Sequence, residues 1–161
     1  MAINPMESNN ALFTSVEHQF HDNSIHAIEL ISPEPDAGNW NSDLVFDIDH
    51  ITKWVGGGTG NYEFDVVKAH LIFKDAGELK INCSILGGGL NPVPIDRIER
   101  SELPIVKRQD YQSFQWLIAL NDLNNGTIKF VASAYQLIYQ AEPVRLNEQV
   151  IPPSRRSGKV Q

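Results

Sequence analysis

The stretch Asp43-Leu44-Val45-Phe46-Asp47-Ile48-Asp49-His50-Ile51-Thr52-Lys53-Trp54 constrains the fold more than any other. Leu44, Phe46 and Ile48 alternate with Asp43, Asp47 and Asp49. A period of two puts the two sets on opposite faces of an extended strand. One face is apolar and must be covered; the other carries carboxylates. A chain built round such a strand needs a sheet with a core on one side.

The same rhythm recurs along the chain. Leu79, Ile81, Cys83 and Ile85 alternate with Glu78, Lys80, Asn82 and Ser84. With Val67 to Phe73 before it and turn chemistry at Lys74 to Glu78 between, this predicts an antiparallel hairpin. Phe114, Trp116, Ile118 and Leu120 alternate again. They are answered by Ile128, Phe130, Ala132 and Ala134 after a turn ending in Asn125-Gly126, a pair that readily supplies positive φ. Ile25 to Ile31 reads as a first strand, with Ile28 and Leu30 inward and Glu29 outward. Residues 95–102 are ambiguous between a helical turn and an edge strand, and edge strand is preferred. Residues 129–141 also fit a helical period, but β-branched content favours strand.

Parity switches twice. Tyr62, Phe64 and Val66 share one parity, while Val67, Ala69, Leu71 and Phe73 share the other. A second switch follows Ala134, to Tyr135, Leu137 and Tyr139. Each predicts a bulge or bend, because a slip of one residue exchanges the faces of a strand. The fold class expected is therefore mainly β. It is an antiparallel β-sandwich or partly closed barrel of about 7–8 strands, with a short N-terminal helix formed by Leu12, Phe13, Val16 and Phe20. Residues 1–10 are expected as a flexible arm, 11–146 as a single domain and 147–161 as a flexible basic tail.

At 161 residues, 42% hydrophobic and 20% charged, the chain can bury one sizeable core. Its net charge of -7 argues against nucleic acid as a partner and suits a basic one. The lone Cys83 excludes an intrachain disulfide framework, and its inward parity suggests a small core residue. No run approaches the roughly 18 apolar residues of a membrane span, and no signal peptide is visible, so a cytoplasmic protein is expected.

Candidate chemistry is sparse. Asp47 and Asp49 project about 7 Å apart from one face and could act on a cation or a proton. A solvated acidic face, in part paired with lysines across the strand, is the plainer expectation. His18, His21, Asp22 and His26 form the only local cluster of metal-ligand types, at a spacing that matches no metal signature. Both glycine triplets, 56–58 and 87–89, lack the helix and the Lys-Ser or Lys-Thr ending of a phosphate loop. Trp116 is expected in the core, whereas Trp40 and Trp54 flank the acidic strand and could rim an interface. The surface-binding candidates are thus Asp43, Asp47, Asp49, Trp54 and Trp40. Weak metal candidates are His21, Asp22 and His26, and no catalytic residue or cofactor is expected.

Phe20-His21-Asp22, Ile25-His26-Ala27-Ile28-Glu29-Leu30, Asp43 to Ile51 and Trp54 together resemble a group of small bacterial β-rich proteins with a domain of unknown function. The likeness covers roughly residues 20–140 and is similar in style to immunity proteins of bacterial toxin systems. The group carries no established activity, so the likeness transfers no catalytic residue; the binding reading rests on small size, acidic charge, β architecture and the absence of a catalytic set. The expected function is a non-enzymatic protein-binding module, immunity-like or regulatory. The alternatives are a metal- or carboxylate-dependent enzyme and a self-associating structural protein joined through sheet edges.

Overall fold

The structure, a computed structural model, describes residues 6–7, 19–58, 60–83, 92–103, 112–121 and 125–156. The strands are β1 (Met6–Glu7), β2 (Ser24–Ile31), β3 (Asp43–Gly56), β4 (Tyr62–Lys74), β5 (Gly77–Asn82), β6 (Val93–Glu102), β7 (Phe114–Leu120), β8 (Thr127–Ala132), β9 (Ala134–Tyr139) and β10 (Val144–Leu146). They form one antiparallel sheet in the order β1-β9-β4-β3-β2-β6-β7-β8-β5, with β10 pairing the free length of β4 beyond β9. Among the described residues the helical segments are a 3-10 turn at Pro35–Ala37 and a single α-turn, α1 (Pro153–Arg156). The N-terminal helix expected over Leu12 to Phe20 falls mainly on residues outside the described ones; Phe20 itself sits in a turn. Among the described residues no helix is long and apolar enough to cross a membrane.

The sheet is open but folded over on itself, and one ribbon does the folding. β4 continues into β5 through Asp75-Ala76, and β8 continues into β9 through Ser133, while β4 pairs β9 and β5 pairs β8. Two chains bend together at one corner. The Ser133 amide donates to the Lys74 carbonyl (2.9 Å), and its hydroxyl donates to the Asp75 carboxylate (2.5 Å). Asp75 is left-handed there, at φ 54°, a conformation that Asp tolerates better than most residues. The hairpin expected between Val67–Phe73 and Leu79–Ile85 is therefore a corner instead: β5 pairs β8, not β4. As an edge strand β5 leaves Ile81 exposed, while Leu79 and Cys83 still pack against the core. The parity switch after Ala134 is this same corner.

The other switch has a different origin. The bulge lies in β3, where Ile51 faces Val66 and Lys53 faces Asp65, leaving Thr52 as the extra residue. β4 keeps its alternation and is buried on both faces. Val67, Ala69, Leu71 and Phe73 enter the main core, whereas Phe64 and Val66 join Ile51 and Ile151 in a second, smaller cluster. Among the described residues there are ten strands against the expected 7–8, because β1 and β10 are too short to show a period and residues 127–139 divide at Ser133. Both ambiguous segments are extended: 95–102 lies within β6, and 129–141 is strand as far as Tyr139 with a break at Ser133; the β7–β8 hairpin carries Asn125 at φ 51°.

The main core lies between the folded halves. Phe73 is its hub, with its ring 4.6 Å from Phe130, 5.0 Å from Trp116 and 5.8 Å from Phe46, all edge-on. Edge-on pairs add to the gain from burial alone. Phe73→Ala should cost about 3–5 kcal/mol in urea unfolding, as loss of a large buried ring does. A cost near that of a surface substitution would mean the halves do not meet through this ring.

Candidate functional site

The acidic face of β3 is not a solvated one. Asp43 pairs with Lys74 across the strand at 2.7 Å, the expected kind of partner. Asp47 and Asp49 instead receive Arg156, whose Nη2 donates to Asp47 Oδ1 at 2.6 Å while Nη1 lies 3.0 Å from Asp49 Oδ1. Asp49 is fully buried and so is not a surface residue. Its Oδ2 accepts from His26 Nε2–H (2.8 Å) and from the Ile151 amide (2.9 Å). A buried carboxylate is tolerated only when paired and hydrogen-bonded, and the cover supplies both. The segment 149–156, expected as the start of a loose basic tail, is that cover. Ile151 anchors it in the smaller cluster, and the Arg156 side chain is only 9% exposed. One contact is imperfect: Asp49 Oδ1 and Arg156 Nη1 are close enough for an ion pair, yet neither atom makes a hydrogen bond of acceptable geometry.

Of the cluster, His21 and Asp22 stay together, Nε2 lying 3.5 Å from Oδ1, and His26 leaves them. His21 Nδ1–H donates to the Asp96 carbonyl (2.7 Å), and Asp22 accepts from the Gln149 amide (3.2 Å). His26 turns to Asp49. Among the described residues no three His, Cys, Asp or Glu side chains are placed to share a metal ion. His18 lies outside the described residues.

Asn23 carries no signal in the sequence, and it joins His50 in one buried pair. Asn23 is fully buried and stitches the turn after Phe20 to β3. Its Oδ1 accepts from the Ile51 amide (2.7 Å), and its Nδ2 donates to His50 Nδ1 (3.2 Å). His50 therefore accepts at Nδ1 and is neutral. It lies on the core face of β3 between the rings of Phe20 and Tyr139, and burial lowers its pKa from 6.5 to about 4.

Trp54 and Trp40 are both exposed, at 49% and 74%, but sit at opposite ends of β3 and rim no common site. The Thr52 bulge turns Trp54 onto the face of Phe64 and Tyr62, with ring centroids 5.0 and 6.0 Å away. There Tyr62 covers Gly57, where an added Cβ would come within 2.8 Å of the ring, so this glycine is structural. The triplet 87–89 lies outside the described residues.

The most unusual exposed feature is the outer edge of β2. β2 pairs β3 from Ser24 to Ile31, but β6 meets it only at Ser24 and Ile25. Among the described residues nothing pairs the outer edge beyond Ile25. Ile28 and Leu30 share the face of Phe46 and Leu44, as the alternation predicts, yet they are 37% and 53% exposed; Ile31, on the other face, is 45% exposed. Their inward parity is right and their burial is not, because β6 has already diverged.

Two outcomes follow for the covered carboxylates and for His50. Asp49→Ala should destabilise by about 3–5 kcal/mol, leaving Arg156 buried beside one carboxylate. Asp43→Ala should cost under about 1 kcal/mol, its partner being half exposed. Equal costs in urea unfolding would refute the assigned role of Arg156. For His50 the unfolded chain takes up its proton first, so stability should fall by about 3 kcal/mol as pH drops from 6.5 to about 4, and no further from this group below that. His50→Gln should remove this slope; a slope that persists would assign it to other groups.

Set against protein-family models, curated proteins and solved structures, the chain finds no match, so its function has to be argued from this geometry.

Proposed function

We propose that this chain is a non-enzymatic protein-binding module that takes an extended segment of its partner along the outer edge of β2. One observation carries the reading: residues 26–31 present an unpaired edge among the described residues while leaving Ile28, Leu30 and Ile31 partly uncovered. An open edge offers a row of backbone donors and acceptors, and the side chains beside it set which segment fits. The partner strand suited to this edge alternates apolar residues, to extend the Ile28–Leu30 surface, with basic ones. Glu29 on the opposite face and the net charge of -7 favour that choice. The aspartates that acid–base chemistry would need are held by Lys74, Arg156 and the Ile151 amide.

The test is a labelled peptide of alternating valine and lysine, titrated by fluorescence anisotropy. Saturable binding, slowed amide exchange over 26–31 and a loss of about tenfold or more in Leu30→Lys are expected. Equal binding to Leu30→Lys would overturn the reading. So would a concentration-dependent dimer that buries the same amides without peptide, which would make the edge a self-association surface.

A further inference from the structure

A cavity of about 400 Å³ opens beside the Arg156 guanidinium, lined by Lys68, Gln140, Val144, Ile151, Arg155 and Arg156. We propose that it is a binding site for a small organic anion, a carboxylate or phosphate head on a short apolar body. The site lies under the segment 149–156 and is independent of the β2 edge.

Three observations converge on that chemistry. First, the Arg156 guanidinium is a cation fixed at the wall of the cavity. Its side chain is 9% exposed, Nη2 donates to Asp47 Oδ1 and Nη1 lies 3.0 Å from Asp49 Oδ1. A guanidinium held in place in this way presents its charge to an oxyanion in the adjoining cavity without first having to be ordered. Second, the walls are cationic. Neither Lys68 nor Arg155 makes an ion pair with any described residue. Among the described residues Glu142 is the one carboxylate on the wall, against Lys68, Arg155 and Arg156. Asp47 and Asp49 stand behind the guanidinium and do not line the space. Third, Val144 and Ile151, both members of the smaller apolar cluster, give the cavity a surface that a bare inorganic ion leaves unused. Pockets that combine an apolar wall with a few convergent polar groups are the ordinary form of a small-molecule site.

The probes are benzoate, phenyl phosphate, inorganic phosphate and benzyl alcohol, each titrated into the full chain while amide resonances are followed. Benzoate and phenyl phosphate should shift Gln140, Ala141 and Ile151 saturably, and whichever binds tighter identifies the preferred head group. Inorganic phosphate should bind about tenfold more weakly than phenyl phosphate, and benzyl alcohol should show no saturable shift. Lys68→Gln/Arg155→Gln should weaken the anions by about tenfold or more. Lys68 is half-buried and Arg155 exposed, so an unchanged unfolding midpoint would show that this loss is not misfolding. Benzyl alcohol matching benzoate, undiminished binding in the double variant, or no saturable shift with any anion would each overturn the proposal. Peptide binding at the β2 edge should be the same in this variant, so the two sites succeed or fail separately.

Discussion

The carboxylate of Asp49 is the constraint on which the rest of this structure leans. It sits near the middle of β3 and is shut away from water, so its charge has to be met by protein. His26 meets it from β2, and Ile151 and Arg156 meet it from more than a hundred residues further along. The last two explain why the segment after β10 is held against β3. The apolar side of β3 packs as any half-buried strand does. Its polar side is unusual, because one buried charge recruits a second, smaller hydrophobic cluster.

The bent ribbon solves the complementary problem for the apolar side. A sheet this wide cannot cover its own core while flat. By carrying β4 into β5 and β8 into β9 at one corner, the chain brings Phe46 and Phe73 against Trp116 and Phe130 without closing a barrel. The cost of leaving the sheet open appears on β2, whose outer edge finds no partner strand beyond Ile25 among the described residues, beside partly exposed Ile28, Leu30 and Ile31. The proposed binding role and the openness of the fold are in this sense one feature.

Much of this was readable from period alone. The strands β3, β4, β7 and β8, the Asn125-Gly126 hairpin and the buried Trp116 follow from alternation and turn chemistry. The corner did not, because Lys74 to Glu78 has the same turn residues whether the chain reverses beside itself or crosses to another layer. The Thr52 bulge was sensed through its effect on β4 and placed on the wrong strand, since periodicity reports relative parity only. The site was hardest. Ile151 is a single apolar residue before two prolines, and Arg155-Arg156-Ser157-Gly158 has the composition of a tail. Nothing local reveals that Arg156 belongs to Asp47, 109 positions away. Asn23 likewise looks like any turn residue until its partners in β3 are seen.

The long reach of that ion pair bears on how the chain is made. Synthesis proceeds at roughly 5–20 residues per second, and β3 leaves the ribosome well before residues 151–156 do. During that interval the Asp49 carboxylate has no Arg156 and no Ile151 amide. The nascent layer must then leave it hydrated, with Ile51, Phe64 and Val66 uncovered beside it. The main core can condense early, but the far side of β3 is finished only by the last described turn. A ribosome-bound chain halted before Ile151 would thus carry a sticky half-built surface, the kind of surface that chaperones hold.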